Sequence, residues 1–97
     1  MYAIEFTRDA IEDLKAFRKF EQKQILDAIE AQLRHEPTVK TRNRFPMRPN
    51  PVAQWELRVG RYRVFYRVEE QERIVIIEAI GFKIGSQLFV RGRRSTL

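Results

Sequence analysis

The sequence predicts a two-layer α+β domain, an antiparallel sheet of about four strands packed on an N-terminal helical hairpin in the order β-α-α-β-β-β. Three observations predict it. Apolar residues recur at three- and four-residue spacing from Ala10 to Leu33, the mark of helices with one buried stripe. From Trp55 to Val68 they alternate with polar residues instead, the period of half-buried strands. Between these regimes lies a proline-rich stretch, and Gly60-Arg61 interrupts the alternation where a tight turn is needed.

In chain order, Tyr2, Ile4 and Phe6 alternate with Ala3 and Glu5, giving a first strand that ends at Thr7. Thr7 is a good N-cap, and Asp9, Glu12 and Asp13 favour the positive end of a helix dipole. Ala10, Ile11, Leu14 and Phe17 form the buried stripe of this helix, which should end near Lys19 or Phe20. A second helix is expected from Glu21 to about Glu36, with Ile25, Ile29 and Leu33 on one stripe and Leu26 and Ala28 beside it. Pro37 forbids its continuation.

A two-residue Gly60-Arg61 loop sets Val59 opposite Tyr62, Arg58 opposite Arg63, Leu57 opposite Val64 and Trp55 opposite Tyr66. A second turn at Glu70-Gln71 would set Tyr66 opposite Val75, Val64 opposite Ile77 and Arg63 opposite Glu78, with Ile76 beside Phe65. The large apolar residues then share one face under the helices. The other face carries Arg58, Arg63 and Glu78 in a row. Two arginines directly across a strand pair repel unless an anion sits near them. That anion is Glu78, in an ordinary cross-strand salt bridge, or a ligand phosphate.

The 97 residues make one domain, residues 1–97, and 43% of them are apolar, enough for a core. There is no cysteine, no charged segment leading into an apolar run, and no apolar stretch long enough to cross a bilayer. A cytoplasmic protein without membrane attachment is the expectation. Residues 1–36 hold six Lys/Arg against eight Asp/Glu, whereas residues 37–97 hold thirteen against five. Of those thirteen only Lys40 and Lys83 are lysines, and arginine is the side chain whose planar fork suits phosphate and stacks on bases.

A nucleic-acid partner is therefore indicated. The loop 37–53 holds all four prolines together with Lys40, Arg42, Arg44 and Arg48. Arg61 and Arg67 belong to the hairpin and Arg91, Arg93 and Arg94 to a basic tail, residues 91–97. Phe65, and Phe89 if the C-terminal segment folds back, can stack on a base. Two glycines after Gly81 mark a turn before any short final element.

A single histidine, His35, excludes a two-histidine nuclease and a histidine-rich metal site, and no carboxylate cluster suits two metal ions. No metal or other cofactor is implied. What remains is chemistry on a phosphodiester in which Arg63, Arg58 and Lys83 stabilise the charge that builds on phosphorus oxygens as an RNA 2′-hydroxyl attacks. Glu56 and Glu78 are the candidate bases.

The run Trp55-Glu-Leu-Arg-Val-Gly-Arg-Tyr-Arg-Val-Phe-Tyr-Arg-Val68, preceded by a strand, a helical hairpin and a basic loop, resembles the RelE/ParE superfamily of type II toxin-antitoxin toxins over nearly the whole chain. The resemblance implies the RelE-like microbial-RNase fold and a toxin neutralised by a cognate antitoxin. RelE-like members cleave mRNA in the ribosomal A site without metal, and ParE-like members inhibit DNA gyrase. By the same resemblance Arg63 matches the arginine that contacts the scissile phosphate, and Lys83 stands where those nucleases have a second catalytic arginine. Their paired lysines fall at Gln54 and Glu56, and their catalytic tyrosine falls at Phe89, which lacks the hydroxyl. Three readings are thus open: a ribosome-dependent mRNA endoribonuclease, a non-enzymatic gyrase inhibitor, and a member that only binds its antitoxin.

Overall fold

A computed structural model describes residues 1–97. Its elements are β1 (Ala3–Phe6), α1 (Arg8–Lys15), α2 (Lys19–Leu33), β2 (Arg44–Pro46), β3 (Trp55–Val59), β4 (Tyr62–Glu69), β5 (Ile74–Ile84), β6 (Gln87–Val90) and β7 (Arg93–Ser95). The fold is the expected α+β class, with two helices on one face of an open sheet. That sheet has seven strands, ordered β2-β3-β4-β5-β6-β7, and β1 lies parallel to the first half of β5. The eleven-residue β5 is the spine, pairing with β1 through Ile74–Ile77 and with β6 through Gly81–Ile84. No helix is long and apolar enough to cross a membrane.

Thr7 caps α1, its hydroxyl accepting a hydrogen bond from the Ala10 N–H at 3.1 Å. The helix stops at Lys15, earlier than its apolar stripe implied, and Ile11 is exposed. Ala10 and Asp13 are buried and Leu14 and Phe17 pack against the core, and Asp13 Oδ2 accepts from the Ile80 N–H at 2.9 Å, which ties the helix to β5. α2 begins at Lys19, where the Arg18 N–H donates to Glu21 Oε1 at 3.0 Å, and ends at Leu33 rather than Glu36. Its Ile25, Ile29 and Leu33 pack on Leu57, Tyr62, Val64, Tyr66, Val75 and Ile77, the expected core. The Tyr66 hydroxyl donates to the Pro37 carbonyl at 2.6 Å, so the buried ring keeps its polar end satisfied.

The first hairpin has the register read from the sequence, with Gly60 at φ +58° and Arg58 opposite Arg63. The second hairpin does not. A four-residue connection, Glu70–Arg73, replaces the two-residue turn, and the register shifts again between Phe65 and Tyr66. Tyr66 therefore faces Ile77, Val64 faces Ile80, Phe65 faces Ala79 and Arg63 faces Gly81. The bulge is a product of tertiary contacts as well as pairing, since the Thr7 hydroxyl reaches the Glu78 carbonyl and the Thr7 N–H donates to the Ile77 carbonyl.

A second, smaller core fills the face of the sheet away from the helices. Phe65, Ala79, Leu88, Val90 and Ala53 are buried there, with Met47, Val52 and Leu97 against them. The proline-rich loop is thus structured. It contributes the edge strand β2, and the Asn50 carboxamide accepts from the Val52 and Ala53 N–H groups. The tail is structured too, because Arg91 and Gly92 both take positive φ in a two-residue turn that pairs β7 with β6.

Candidate functional site

The centre of the far face is the Arg58–Arg63 pair, held opposite each other by the first hairpin. One carboxylate serves both: Glu56 Oε2 lies 3.2 Å from Arg58 Nε and 3.4 Å from Arg63 Nε. Arg63 is only 9% exposed, and its Nη1 donates at 2.8 Å to both the Gly60 and Tyr62 carbonyls. Its Nε is buried without a hydrogen-bond partner. Burial, reinforced by the Arg58 charge, holds the Arg63 pKa below the ordinary arginine range against the pull of Glu56. The guanidinium is therefore oriented by its own hairpin and left with more positive charge around it than one carboxylate cancels.

Lys83 joins this face. It lies two residues, about 7 Å, beyond the Gly81 that pairs with Arg63, and successive odd positions of β5 share a side there. Gly81 is required at the crossing, because a Cβ there would come within 2.4 Å of the Phe89 carbonyl oxygen. A single glycine inside a strand pattern was the available signal for this close approach. Arg48 and Arg94 line a groove of about 940 Å³ between the proline loop and the C-terminal strand.

Four expected placements are corrected. Glu78 does not pair with Arg63; the shifted register gives it to Arg67, whose Nε donates to Glu78 Oε2 and whose Nη1 donates to Glu69 Oε1. Arg67 is thereby tied up within the sheet, and these hydrogen bonds hold its pKa above the ordinary value. Phe65 is buried in the second core at 1% exposure and offers no ring to a base. Arg44 is buried as well, its guanidinium spent on the Val39 and Gln32 carbonyls. Phe89 lies on the helix side, stacked on Phe82 at 5.5 Å, because strand alternation opposes it to Phe82 rather than to Lys83. Lys40, Arg42, Arg61, Arg91, Arg93 and Arg94 are exposed, but Arg61 and Arg91 lie on the helix side, paired with Glu21 and with Asp9 and Asp13.

Residues 4–81 match the family model described as the ParE toxin of type II toxin-antitoxin systems, parDE. Among solved structures, the chain is similar to one in the RelBE2 toxin-antitoxin complex from Mycobacterium tuberculosis, with 24% identity, TM-score 0.72, and coverage of 84% of this chain and 98% of that one. It is also similar to one in the archaeal RelE-RelB complex from Pyrococcus horikoshii, with 21% identity, TM-score 0.64, and coverage of 95% and 97%. A third likeness is to the intact E. coli RelBE toxin-antitoxin complex, with 17% identity, TM-score 0.53, and coverage of 87% and 99%. No curated protein sequence matches. The family model spans most of the chain and the three structures share its fold, so this chain belongs to the ParE toxin family of type II toxin-antitoxin systems, within the RelE/ParE superfamily.

Proposed function

We propose that this chain is a toxin that acts on mRNA at the ribosome as a metal-free endoribonuclease and is held inactive by a cognate antitoxin. One observation carries the catalytic part: Arg58 and Arg63 share a single carboxylate, and the buried Arg63 Nε has no partner. An oriented, partly desolvated guanidinium with surplus positive charge is what a phosphodiester oxyanion needs, and Lys83 supplies a second charge on the same face. The antitoxin part is supported by family membership and by the fact that the three similar structures are toxin-antitoxin complexes.

A second reading, inhibition of DNA gyrase by binding alone, is favoured by a different observation. Phe89 is turned to the helix side and Glu56 is engaged by two arginines, so the Arg63 face has no free acid or base beside its charges. The test is to induce the protein alone in a bacterium and map mRNA ends by primer extension. Cuts phased to codons support the nuclease; growth arrest with intact mRNA and broken chromosomal DNA supports the gyrase reading. Co-expression of the adjacent gene product should lift the arrest in either case.

A further inference from the structure

On the far face Glu56 is flanked by two aromatic residues, Phe65 on β4 and Phe45 on the edge strand β2. Phe65 is sealed in the second core, whereas the Phe45 ring is half-buried. Pairing with Glu56 makes Arg58 the diagonal neighbour of Phe45, within reach of a long side chain. The Arg58 N–H donates to the Asn43 carbonyl at 2.8 Å, so the start of β2 is fixed against the strand that carries Arg58. The guanidinium carbon of Arg58 lies over the Phe45 ring, 4.4 Å from its centroid.

Two contacts therefore hold this guanidinium. Phe45 backs it through a cation–π contact, and Glu56 Oε2 accepts from its Nε at 3.2 Å. The side chain is still 45% exposed, and β2 is the outermost strand, so no further strand of the sheet lies beyond it. A guanidinium backed by a ring and tied at one edge by a carboxylate keeps a planar side open, and planar π systems stack on such a side. The neighbouring anion site decides which planar group arrives. Arg58 Nε and Arg63 Nε lie 3.2 and 3.4 Å from the same Glu56 oxygen, so they are separated by no more than the sum of these distances. That is the reach between a phosphate and the base of its own or the adjoining nucleotide, so a phosphate held at Arg63 brings a base to Arg58.

We infer that Arg58, backed by Phe45, is the platform on which the RNA base beside the Arg63-bound phosphate stacks, and that it selects a purine there. The inference rests on the nuclease reading and adds base selection to it. A purine offers the larger ring surface, so stacking strength rather than hydrogen-bond readout sets the preference. Arg58 is then a specificity-determining residue, and the charge that builds on the phosphorus oxygens is left to Arg63 and Lys83.

The experiment is single-turnover cleavage of mRNA on programmed ribosomes, with adenine or uracil at each of the two nucleotides flanking the scissile bond, by the wild-type chain, Arg58→Lys and Phe45→Leu. At one of these positions the wild type should favour adenine by about tenfold, within the range that one stacked base contributes. Arg58→Lys keeps the charge without the plane, and Phe45→Leu keeps apolar bulk without the ring. Each should bring the ratio of the two rates close to one, and Arg58→Lys decides the matter if Phe45→Leu does not fold. A wild-type ratio near one at both positions overturns the platform and leaves the nuclease reading standing. Equal slowing with both bases in Arg58→Lys, at an unchanged ratio, assigns Arg58 to phosphate and likewise overturns it. Intact mRNA with the wild-type chain overturns both the platform and the nuclease reading.

Discussion

Glu56 Oε2 stands 3.4 Å from Arg63 Nε, yet that buried nitrogen donates no hydrogen bond. The same carboxylate is 3.2 Å from Arg58 Nε, so one negative charge is divided between two positive ones. The arrangement costs the fold something and leaves an attraction for an outside anion.

Removing the carboxylate separates these two effects. Glu56→Gln should destabilise the fold by roughly 0.5–1 kcal/mol, because the cross-strand arginines lose their shared counter-charge. It should also tighten RNA binding and steepen its dependence on log salt by about one unit. Urea denaturation and anisotropy of a labelled RNA oligonucleotide check both, and weaker RNA binding in this variant would count against the anion-site account.

Gly81 connects the Arg63 strand to the C-terminal hairpin, since it pairs with Arg63 and lies against the β6 backbone. A Cβ at this position would come within 2.4 Å of the Phe89 carbonyl oxygen and 2.8 Å of Val90 Cγ2, and the first of these atoms is backbone. Gly81→Ala should therefore cost about 1–3 kcal/mol, as overpacking of a fixed site does, and should displace β6. A thermal midpoint equal to the wild type would show that the strands are looser than described.

Stability should depend on pH through Glu21 and Tyr62. The hydrogen bond from the Tyr62 hydroxyl, followed by that from the Arg18 N–H, holds the Glu21 pKa below its ordinary 4.5, against the effect of burial. Being depressed on folding, it contributes stability that is complete above pH 4.5 and is lost as pH falls through the lower folded-state value. The same bond raises the Tyr62 pKa above 10.0, a contribution present below that pH and lost as pH rises through the folded-state value. Tyr62→Phe should flatten both flanks of the wild-type stability curve in denaturant titrations across pH. An unchanged acid flank would assign it to other carboxylates.

Much of this architecture was legible in local pattern. Val59, Gly60 and Tyr62 fix the first hairpin, because a two-residue loop admits one register and alternation puts Leu57 and Val64 on the same face. The second hairpin was less legible, since its polar connection can be cut at several lengths and its bulge is shaped by Thr7, distant in sequence. That slip moved Glu78 from Arg63 to Arg67. The burial of Phe65 is illegible for a related reason: alternation assigns it correctly to the far face, but says nothing of the loop and tail that cover it there. The burial of Asp13 is marked in the sequence by its place on one helical stripe with Ala10 and Phe17.

The most direct measurement is cleavage of mRNA on programmed ribosomes by the purified wild-type chain and the Arg63→Ala, Lys83→Ala and Phe89→Tyr variants. Arg63→Ala and Lys83→Ala should each slow cleavage by roughly a hundredfold or more, the usual effect of removing one oriented charge from such a site. Phe89→Tyr should change nothing, because its new hydroxyl lies on the helix side of the sheet. Wild-type rates in Arg63→Ala, or the absence of any cleavage by the wild-type chain, would contradict the account.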